Sequence, residues 1–179
     1  MPTNLIFKPL PDSSSSKALS SELNINETLS IILLQRNIRT YEEARTFFRP
    51  SLDCLHDPFL MKDMDKAVDR LQQAIDKQEK ILVYGDYDVD GTTSVALFYG
   101  FLQRYHNNLE YYIPDRYLEG YGISYKGIEY AAENGFSLIV CLDCGIKAVE
   151  KIELAAKKGV DFIVCDHHTP GEELPAAYA

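Results

Sequence analysis

The 179-residue sequence contains no run of about 18 consecutive apolar residues, the length that a membrane-spanning helix requires. Its N-terminus, MPTNLIFKPLPDSSSSK, lacks the basic start and apolar core of a secretory signal peptide. Only four cysteines are present, too few for a disulfide framework in a chain of this size. These absences predict a soluble, cytoplasmic protein with reduced thiols and no membrane partner.

Basic residues are outnumbered as well. There are 18 lysines and arginines against 27 aspartates and glutamates, which gives a formal net charge of -9. Because the neutralisation of phosphates needs Lys and Arg, this balance argues against a nucleic-acid partner. Acidic residues that surround divalent cations are neutralised once the metal is bound, so the charge alone does not exclude such a partner. The hydrophobic content of 46% is enough for a packed core.

The first part of the chain, residues 1–78, is predicted to be a small helical N-terminal segment. Thr40 and Glu43 form a capping-box pattern at the start of one short helix. The run Ser13–Ser16 is the one low-complexity patch and is predicted to be a flexible turn. A further helix over residues 62–78 has an apolar face that we expect to pack on the following domain. That face consists of Met64, Val68, Leu71 and Ile75.

From residue 79 onward, strand patterns and helix patterns alternate with short links. The predicted strands are Ile81 to Tyr84, Glu110 to Ile113, Leu138 to Leu142 and Phe162 to Cys165. This alternation predicts an α/β fold for residues 79–179, with a Rossmann-like, mostly parallel sheet flanked by helices. The order of the strands within the sheet does not follow from the sequence.

Three of these strands end in residue types that bind metals. The segments are GDYDVDG with Asp86, Asp88 and Asp90, LDCG with Asp143, and DHH with Asp166, His167 and His168. Because the carboxyl ends of parallel strands meet at one edge of a sheet, we expect these side chains to converge. Carboxylates suit Mg²⁺ or Mn²⁺, and imidazole beside carboxylates gives a ligand set that Mn²⁺ or Zn²⁺ accepts. The sequence therefore predicts a polynuclear metal site.

Each segment by itself also has a simpler interpretation. The carboxylates of residues 86–90 would complement the dipole of a helix that Thr92 or Thr93 caps. Asp143 would be an ordinary turn residue, and either histidine would be a core or surface residue. The agreement of three strand ends favours the metal site over these separate interpretations.

GDYDVDG, LDCG and DHH, in this order and at this spacing, resemble the first three motifs of the DHH phosphoesterase superfamily. The flanking segments Glu42 to Val68 and Ile113 to Ser124 resemble those of RecJ-like single-stranded-DNA exonucleases, so the resemblance covers residues 40–170. It implies hydrolysis of a phosphodiester by water with the help of two cations, Mn²⁺ or Mg²⁺. The implied substrate of the full-length protein is single-stranded DNA, degraded from 5′ to 3′ in DNA repair and recombination.

The resemblance also implies roles for individual residues. The implied metal ligands are Asp88, Asp90, Asp143 and His167, with Asp86 as a further ligand. His168 would lie beside the metals and contact the scissile phosphate, so it joins the implied catalytic set of Asp88, Asp90, Asp143 and His167. Arg116 would hold a substrate phosphate with its guanidinium fork. The alternative for Arg116 is a surface ion pair with Asp115 or Glu119.

RecJ-like proteins have a fourth motif with another metal-binding Asp, and a second domain that closes over the nucleic acid. Neither is present in these 179 residues. We therefore expect the chain to be the N-terminal part of a longer nuclease, folded but with little or no activity alone. Sibling phosphoesterases that cleave short oligonucleotides or cyclic dinucleotides share the metal motifs and stay open as alternatives.

Three other classes of function fit parts of the sequence. In a haloacid-dehalogenase-type phosphatase, Asp88 would be a nucleophile and Asp90 a general acid, although three residues separate Asp88 from the preceding strand here. In a receiver-like signalling domain, Asp86 and Asp88 would bind Mg²⁺ and Asp143 would accept a phosphoryl group. A zinc or redox site would use the cysteines Cys141, Cys144 and Cys165.

Overall fold

The computed structural model describes residues 7–179, so the first six residues of the predicted helical segment lie outside the described residues. The chain divides into two compact units, one that ends at Asp57 and one that spans Pro58–Ala179. The helix predicted over residues 62–78 belongs to the second unit. In the described part of the chain, no helix is both long enough and apolar enough to cross a membrane.

The first unit consists of short helices. They are α1 (Ser13–Leu23), α2 (Glu27–Leu34), α3 (Tyr41–Phe48) and a 3₁₀ turn (Leu52–Cys54). The predicted capping box is present, with the Thr40 side chain accepting from the backbone of Glu43 and the Glu43 carboxylate accepting in return. The serine run was predicted to be a flexible turn, and this is wrong. It forms the first turn of α1 because the Asp12 side chain accepts a hydrogen bond of 2.8 Å from the N–H of Ser15.

The second unit is an α/β structure. Its strands are β1 (Ile81–Gly85), β2 (Leu109–Tyr112), β3 (Leu138–Leu142) and β4 (Asp161–Cys165). Its helices are α4 (Met64–Asp76), α5 (Val89–Leu102), α6 (Tyr125–Glu133) and α7 (Val149–Lys157). The strands form one parallel sheet in the order β2-β1-β3-β4. The predicted α/β fold with a parallel sheet is confirmed.

Both faces of the sheet are covered, which is why the central strands β1 and β3 are buried throughout. Ile81 and Val83 of β1 face α4 and α5, whereas Leu82 and Tyr84 face α6 and α7. The chain leaves β1 toward β2 on one side and later returns to β3 on the other side. The point between β1 and β3 is therefore a topological switch point, where open α/β sheets bind their ligands.

Helix α4 packs on the sheet as predicted, but only part of the predicted face is buried: Leu71 and Ile75 contact the core and Val68 does not. Ala67, Leu71, Ala74 and Ile75 contact the core, whereas Val68 is 43% exposed. The buried face includes Arg70, whose Nε atom lies 2.7 Å from a carboxylate oxygen of Asp161. The buried face therefore combines two of the predicted apolar residues with a buried arginine that binds the sheet, which apolar periodicity did not predict.

Candidate metal centre

The strand register brings the three motifs side by side. Gly85 pairs with Leu142, and Leu142 pairs with Cys165, so the residues that follow β1, β3 and β4 leave the sheet at the same level. Those residues are Asp86, Asp143 and Asp166. The structure therefore collects carboxylates at the carboxyl edge of the sheet, beside the switch point.

Asp86 is fully buried directly after β1. Its Oδ1 atom accepts a hydrogen bond of 3.2 Å from the N–H of Gly122, but its Oδ2 atom has no partner within residues 7–179. Because a buried polar atom without a partner is costly, an ion at this oxygen would stabilise the fold. The backbone here is tightly packed: a Cβ atom at Gly91 would lie 2.6 Å from the backbone nitrogen of Asp86.

Asp88 and Asp90 follow at the start of α5. The Asp88 side chain caps the helix by accepting a hydrogen bond of 3.0 Å from the N–H of Gly91. The prediction that Thr92 or Thr93 caps this helix is wrong, because α5 begins directly after Asp88 and both hydroxyls donate to carbonyl groups one turn earlier. Asp90 lies exposed in the first turn.

Asp143 lies directly after β3 in the left-handed region, with a φ of 59°. Its N–H donates to the carbonyl of Cys165 over 2.8 Å, which ties the loop to β4. Its Oδ1 atom is 3.0 Å from Nε2 of His167. One ligand atom each from Asp143, His167 and His168 lies within 4.8 Å of the others, which is close enough for all three to bind one ion.

The electrostatics link the acidic motifs to this cluster. Burial raises the pKa of Asp143, and the negative charge of Asp88 raises it further. The charge of Asp90 acts in the same direction, whereas His167 opposes the shift. Asp88 and Asp90 are therefore near enough to Asp143 for mutual repulsion, and this repulsion is what a bound cation would relieve.

Asp166 is a buried carboxylate that supports the cluster. It accepts hydrogen bonds from the N–H groups of Ile146 and His168, each over 3.0 Å, and from Nδ1 of His168 over 2.7 Å. Burial alone would raise the pKa of Asp166, but these hydrogen bonds outweigh burial and lower it. The hydrogen bond with Asp166 in turn raises the pKa of His168. Asp166 therefore orients His168, a role that the sequence interpretation missed although this Asp directly precedes both histidines.

Arg116 and Tyr121 lie on the loop between β2 and α6. The Arg116 guanidinium lies 5.2 Å from the ring centroid of Tyr87. Among the described residues Arg116 makes no ion pair, because Asp115 accepts from two backbone N–H groups and Glu119 accepts from a tyrosine and a serine hydroxyl. The guanidinium is thus exposed and available to an anion. Tyr121, which the sequence interpretation did not assign to the site, lies 3.3 Å from Nε2 of His168 through its hydroxyl.

The cysteines do not favour a zinc or redox site. Cys141 and Cys144 are buried in the core, and the Cys141 thiol donates to the carbonyl of Cys144 over 3.0 Å. Burial raises the pKa of Cys141, and this disfavours the thiolate form that binds zinc. Cys165 is free as well. Cys141 and Cys144 act as small buried hydrophobic side chains, whereas Cys165 is exposed.

The fold is a parallel α/β sheet, and its carboxyl edge gathers carboxylates and two histidines, which are residue types that bind metals. The family model described as DHH family, N-terminal domain matches residues 80–179. The chain therefore belongs to the DHH family. This membership leaves the haloacid-dehalogenase-type and receiver-like alternatives without support.

Two similar proteins are both described as single-stranded-DNA-specific exonuclease RecJ. The single-stranded-DNA-specific exonuclease RecJ of Bacillus subtilis (strain 168) is 44% identical over 165 residues, which cover 92% of this chain and 21% of that protein. The RecJ exonuclease of Escherichia coli (strain K12) is 39% identical over 120 residues, which cover 66% of this chain and 21% of that protein. The chain thus spans about a fifth of the length of these relatives.

Two solved structures have the same fold. A crystal structure of exonuclease RecJ bound to manganese matches with a TM-score of 0.61 and 33% identity, over 66% of this chain and 30% of that chain. A structure of RecJ from Thermus thermophilus in complex with Mn²⁺ matches with a TM-score of 0.67 and 25% identity, over 94% of this chain and 23% of that chain.

Proposed function

We propose that this chain contributes the metal centre of a metal-dependent phosphodiesterase. The observation that carries the proposal is the cluster of Asp143, His167 and His168, whose ligand atoms lie within 4.8 Å of one another. The buried oxygen of Asp86 that has no partner among residues 7–179 lies at the same edge of the sheet and also fits a cation. Oxygen and imidazole donors together suit Mn²⁺, and the oxygen donors suit Mg²⁺.

Two such ions would be held by Asp86, Asp88, Asp90, Asp143 and His167. His168, the third member of the cluster, would lie beside the ions and contact the substrate. When bound, the ions would polarise the phosphate and make an attacking water more acidic. The Mn²⁺-bound RecJ structures that share this fold support the choice of Mn²⁺. The repulsion that raises the pKa of Asp143 supports an arrangement that needs cations to balance it.

The chain's other residues would bind and orient the substrate. The Asp166 carboxylate holds Nδ1 of His168 and so orients the imidazole ring, which would lie against a substrate phosphate. Arg116 would bind a neighbouring phosphate with its exposed guanidinium fork. Both residues lie on loops at the carboxyl edge of the sheet, where a strand of nucleic acid would pass.

We propose single-stranded DNA as the substrate, degraded from the 5′ end in DNA repair and recombination in the cytoplasm. The support is the shared description of the relatives as single-stranded-DNA-specific exonucleases. The proposal applies to a protein of the relatives' length, and the 179-residue chain alone would have little or no activity. Its unpaired cysteines are compatible with a reducing compartment.

The test is digestion by the longer protein in Mn²⁺, with matched single-stranded and duplex DNA labelled at either end. We expect nucleotide release from the 5′ end of single strands. Asp88→Asn keeps the helix cap but removes the charge, so it should lower the rate about 100-fold or more. Asp69→Asn, on the exposed side of α4, makes the same change of charge and should leave the rate unchanged.

Two results would change the conclusion. Cleavage of short oligonucleotides or cyclic dinucleotides without digestion of long single strands would identify a sibling phosphoesterase. Full activity of Asp88→Asn would contradict the proposed metal centre itself.

A further inference from the structure

Tyr121 lies between the loops that follow β1 and β4. Its ring centroid is 6.3 Å from that of Tyr87 and 6.2 Å from that of His168, and each pair of rings meets edge to face at 84°. The Arg116 guanidinium lies 5.2 Å from the ring centroid of Tyr87. Arg116, Tyr87, Tyr121 and His168 are therefore linked by successive contacts, and we call these four residues the aromatic row.

The backbone next to Tyr121 is held firmly. The N–H of Gly122 donates to Asp86 over 3.2 Å, and the carbonyl of Gly122 accepts from the Tyr84 hydroxyl over 3.0 Å. The ammonium group of Lys151 donates to the carbonyl of Ile123 over 2.5 Å. Tyr121 itself is 55% exposed, so core packing does not account for its place. A firmly held backbone with a half-exposed ring suits a residue that positions its neighbours.

Both ring nitrogens of His168 have a partner. Nδ1 donates to the Asp166 carboxylate over 2.7 Å, so in the neutral ring Nε2 is an acceptor. The Tyr121 hydroxyl, at 3.3 Å, is then the donor to Nε2. With partners on opposite sides, the ring is restrained against rotation.

We propose that Tyr121 is a positioning residue that holds His168 and, through Tyr87, Arg116, so that both contact phosphates of one substrate strand. The inference rests on the proposed function for the roles of His168 and Arg116. The restraint on the His168 ring is independent of that function and can be measured without metal or substrate.

The first readout is the reactivity of His168 toward diethyl pyrocarbonate in the metal-free, full-length protein, followed by mass spectrometry. This reagent acylates a free imidazole nitrogen, and the exposed His56 serves as the internal reference. Tyr121→Phe removes the hydroxyl and keeps the ring. We expect the reactivity of His168 to rise about fivefold, the factor equivalent to the net free energy of one hydrogen bond, about 1 kcal/mol. Tyr117→Phe, a change at a 93% exposed tyrosine of the same loop, should have no effect.

The second readout separates kcat from KM for single-stranded DNA in Mn²⁺. Tyr121→Phe should lower kcat about 10-fold and leave KM within about twofold, because it frees His168 but keeps the contact with Tyr87. Tyr121→Leu should also raise KM, because Tyr87 and Arg116 then lose their support. Unchanged reactivity of His168 or unchanged kcat in Tyr121→Phe would overturn the inference. If the wild-type protein does not cleave DNA, the proposed function fails, and the reactivity of His168 still decides whether Tyr121 restrains the ring.

Discussion

The substitution Asp143→Asn tests two effects of one carboxylate. Its charge should destabilise the metal-free fold, and the same charge should bind Mn²⁺ and stabilise the metal-bound fold. Asp143 is 8% exposed, and burial together with the charge of Asp88 raises its pKa. A carboxyl with a raised pKa binds more protons in the folded state, so the stability of the metal-free chain falls as pH rises through that pKa. At pH 7 the ionised Asp143 therefore destabilises the metal-free fold. Asparagine removes the charge, keeps the shape and tolerates the φ of 59°.

The expected magnitude comes from metal linkage. At a Mn²⁺ concentration 100 times the Kd, binding stabilises the folded chain by about 2.7 kcal/mol. For a chain of this size that free energy corresponds to a rise in Tm of about 5 to 10 °C. Asp143→Asn should melt at or above the wild-type Tm without metal, and Mn²⁺ should raise its Tm by less than about 2 °C.

The assay is thermal unfolding followed by circular dichroism at pH 7, with excess Mn²⁺ or with EDTA. Asp69→Asn changes the net charge equally on an exposed helix face and should keep the full response to Mn²⁺. An equal response of Asp143→Asn and the wild type would refute the assignment of Asp143 as a ligand. A metal-free Asp143→Asn that melts well below the wild type would refute the electrostatic argument.

Two further substitutions test the framework of the site. Gly91→Ala would place a Cβ atom 2.6 Å from the backbone nitrogen of Asp86, so it should destabilise the chain by about 1 to 3 kcal/mol in urea unfolding. Arg70→Met should cost about 3 kcal/mol, because it leaves the carboxylates of Glu79 and Asp161 without their buried partner. Burial raises the pKa of Glu79, but hydrogen bonds from a serine hydroxyl and Arg70 outweigh it and lower the pKa. The stability that comes from the lowered pKa of Glu79 is present at neutral pH and is lost as pH falls. The difference in free energy of unfolding between Arg70→Met and the wild type should therefore shrink in acid.

A control variant and contradicting results can be stated for these two substitutions. Gly100→Ala, in the exposed last turn of α5, has nothing within 4 Å of the added Cβ and should stabilise the chain by up to about 1 kcal/mol. Gly91→Ala with the same stability as Gly100→Ala would contradict the tight packing beside Asp86. A constant difference between Arg70→Met and wild type from pH 7 to pH 3 would contradict the role of Glu79.

The sequence predicted the parallel sheet and the edge at which the motifs meet. Apolar runs of strand length that end in Asp or His are local signals, and parallel strands bring their ends together whatever their order. The capping box of Thr40 and Glu43 could also be predicted from the sequence, because it depends on residues three positions apart. The strand order could not be predicted, because the alternation of strands and helices permits several orders.

The remaining differences come from contacts between residues far apart in the sequence. Tyr121 and His168 are 47 positions apart, and their contact depends on the strand order. The face that α4 buries includes Arg70, whose ion pair with Asp161 joins residues 91 positions apart. The start of α5 was misplaced for a local reason, since Asp88 competes with two threonines as the cap.

We propose above that the carboxyl edge of this sheet is a metal centre. The most direct measurement is an anomalous difference map at the manganese absorption edge from crystals grown with Mn²⁺. We expect anomalous peaks within coordination distance of Asp143 and His167, with a side-chain oxygen of Asp86 turned toward the metal. A crystal with Mn²⁺ bound elsewhere, or with no peak beside Asp143 at saturating Mn²⁺, would contradict it.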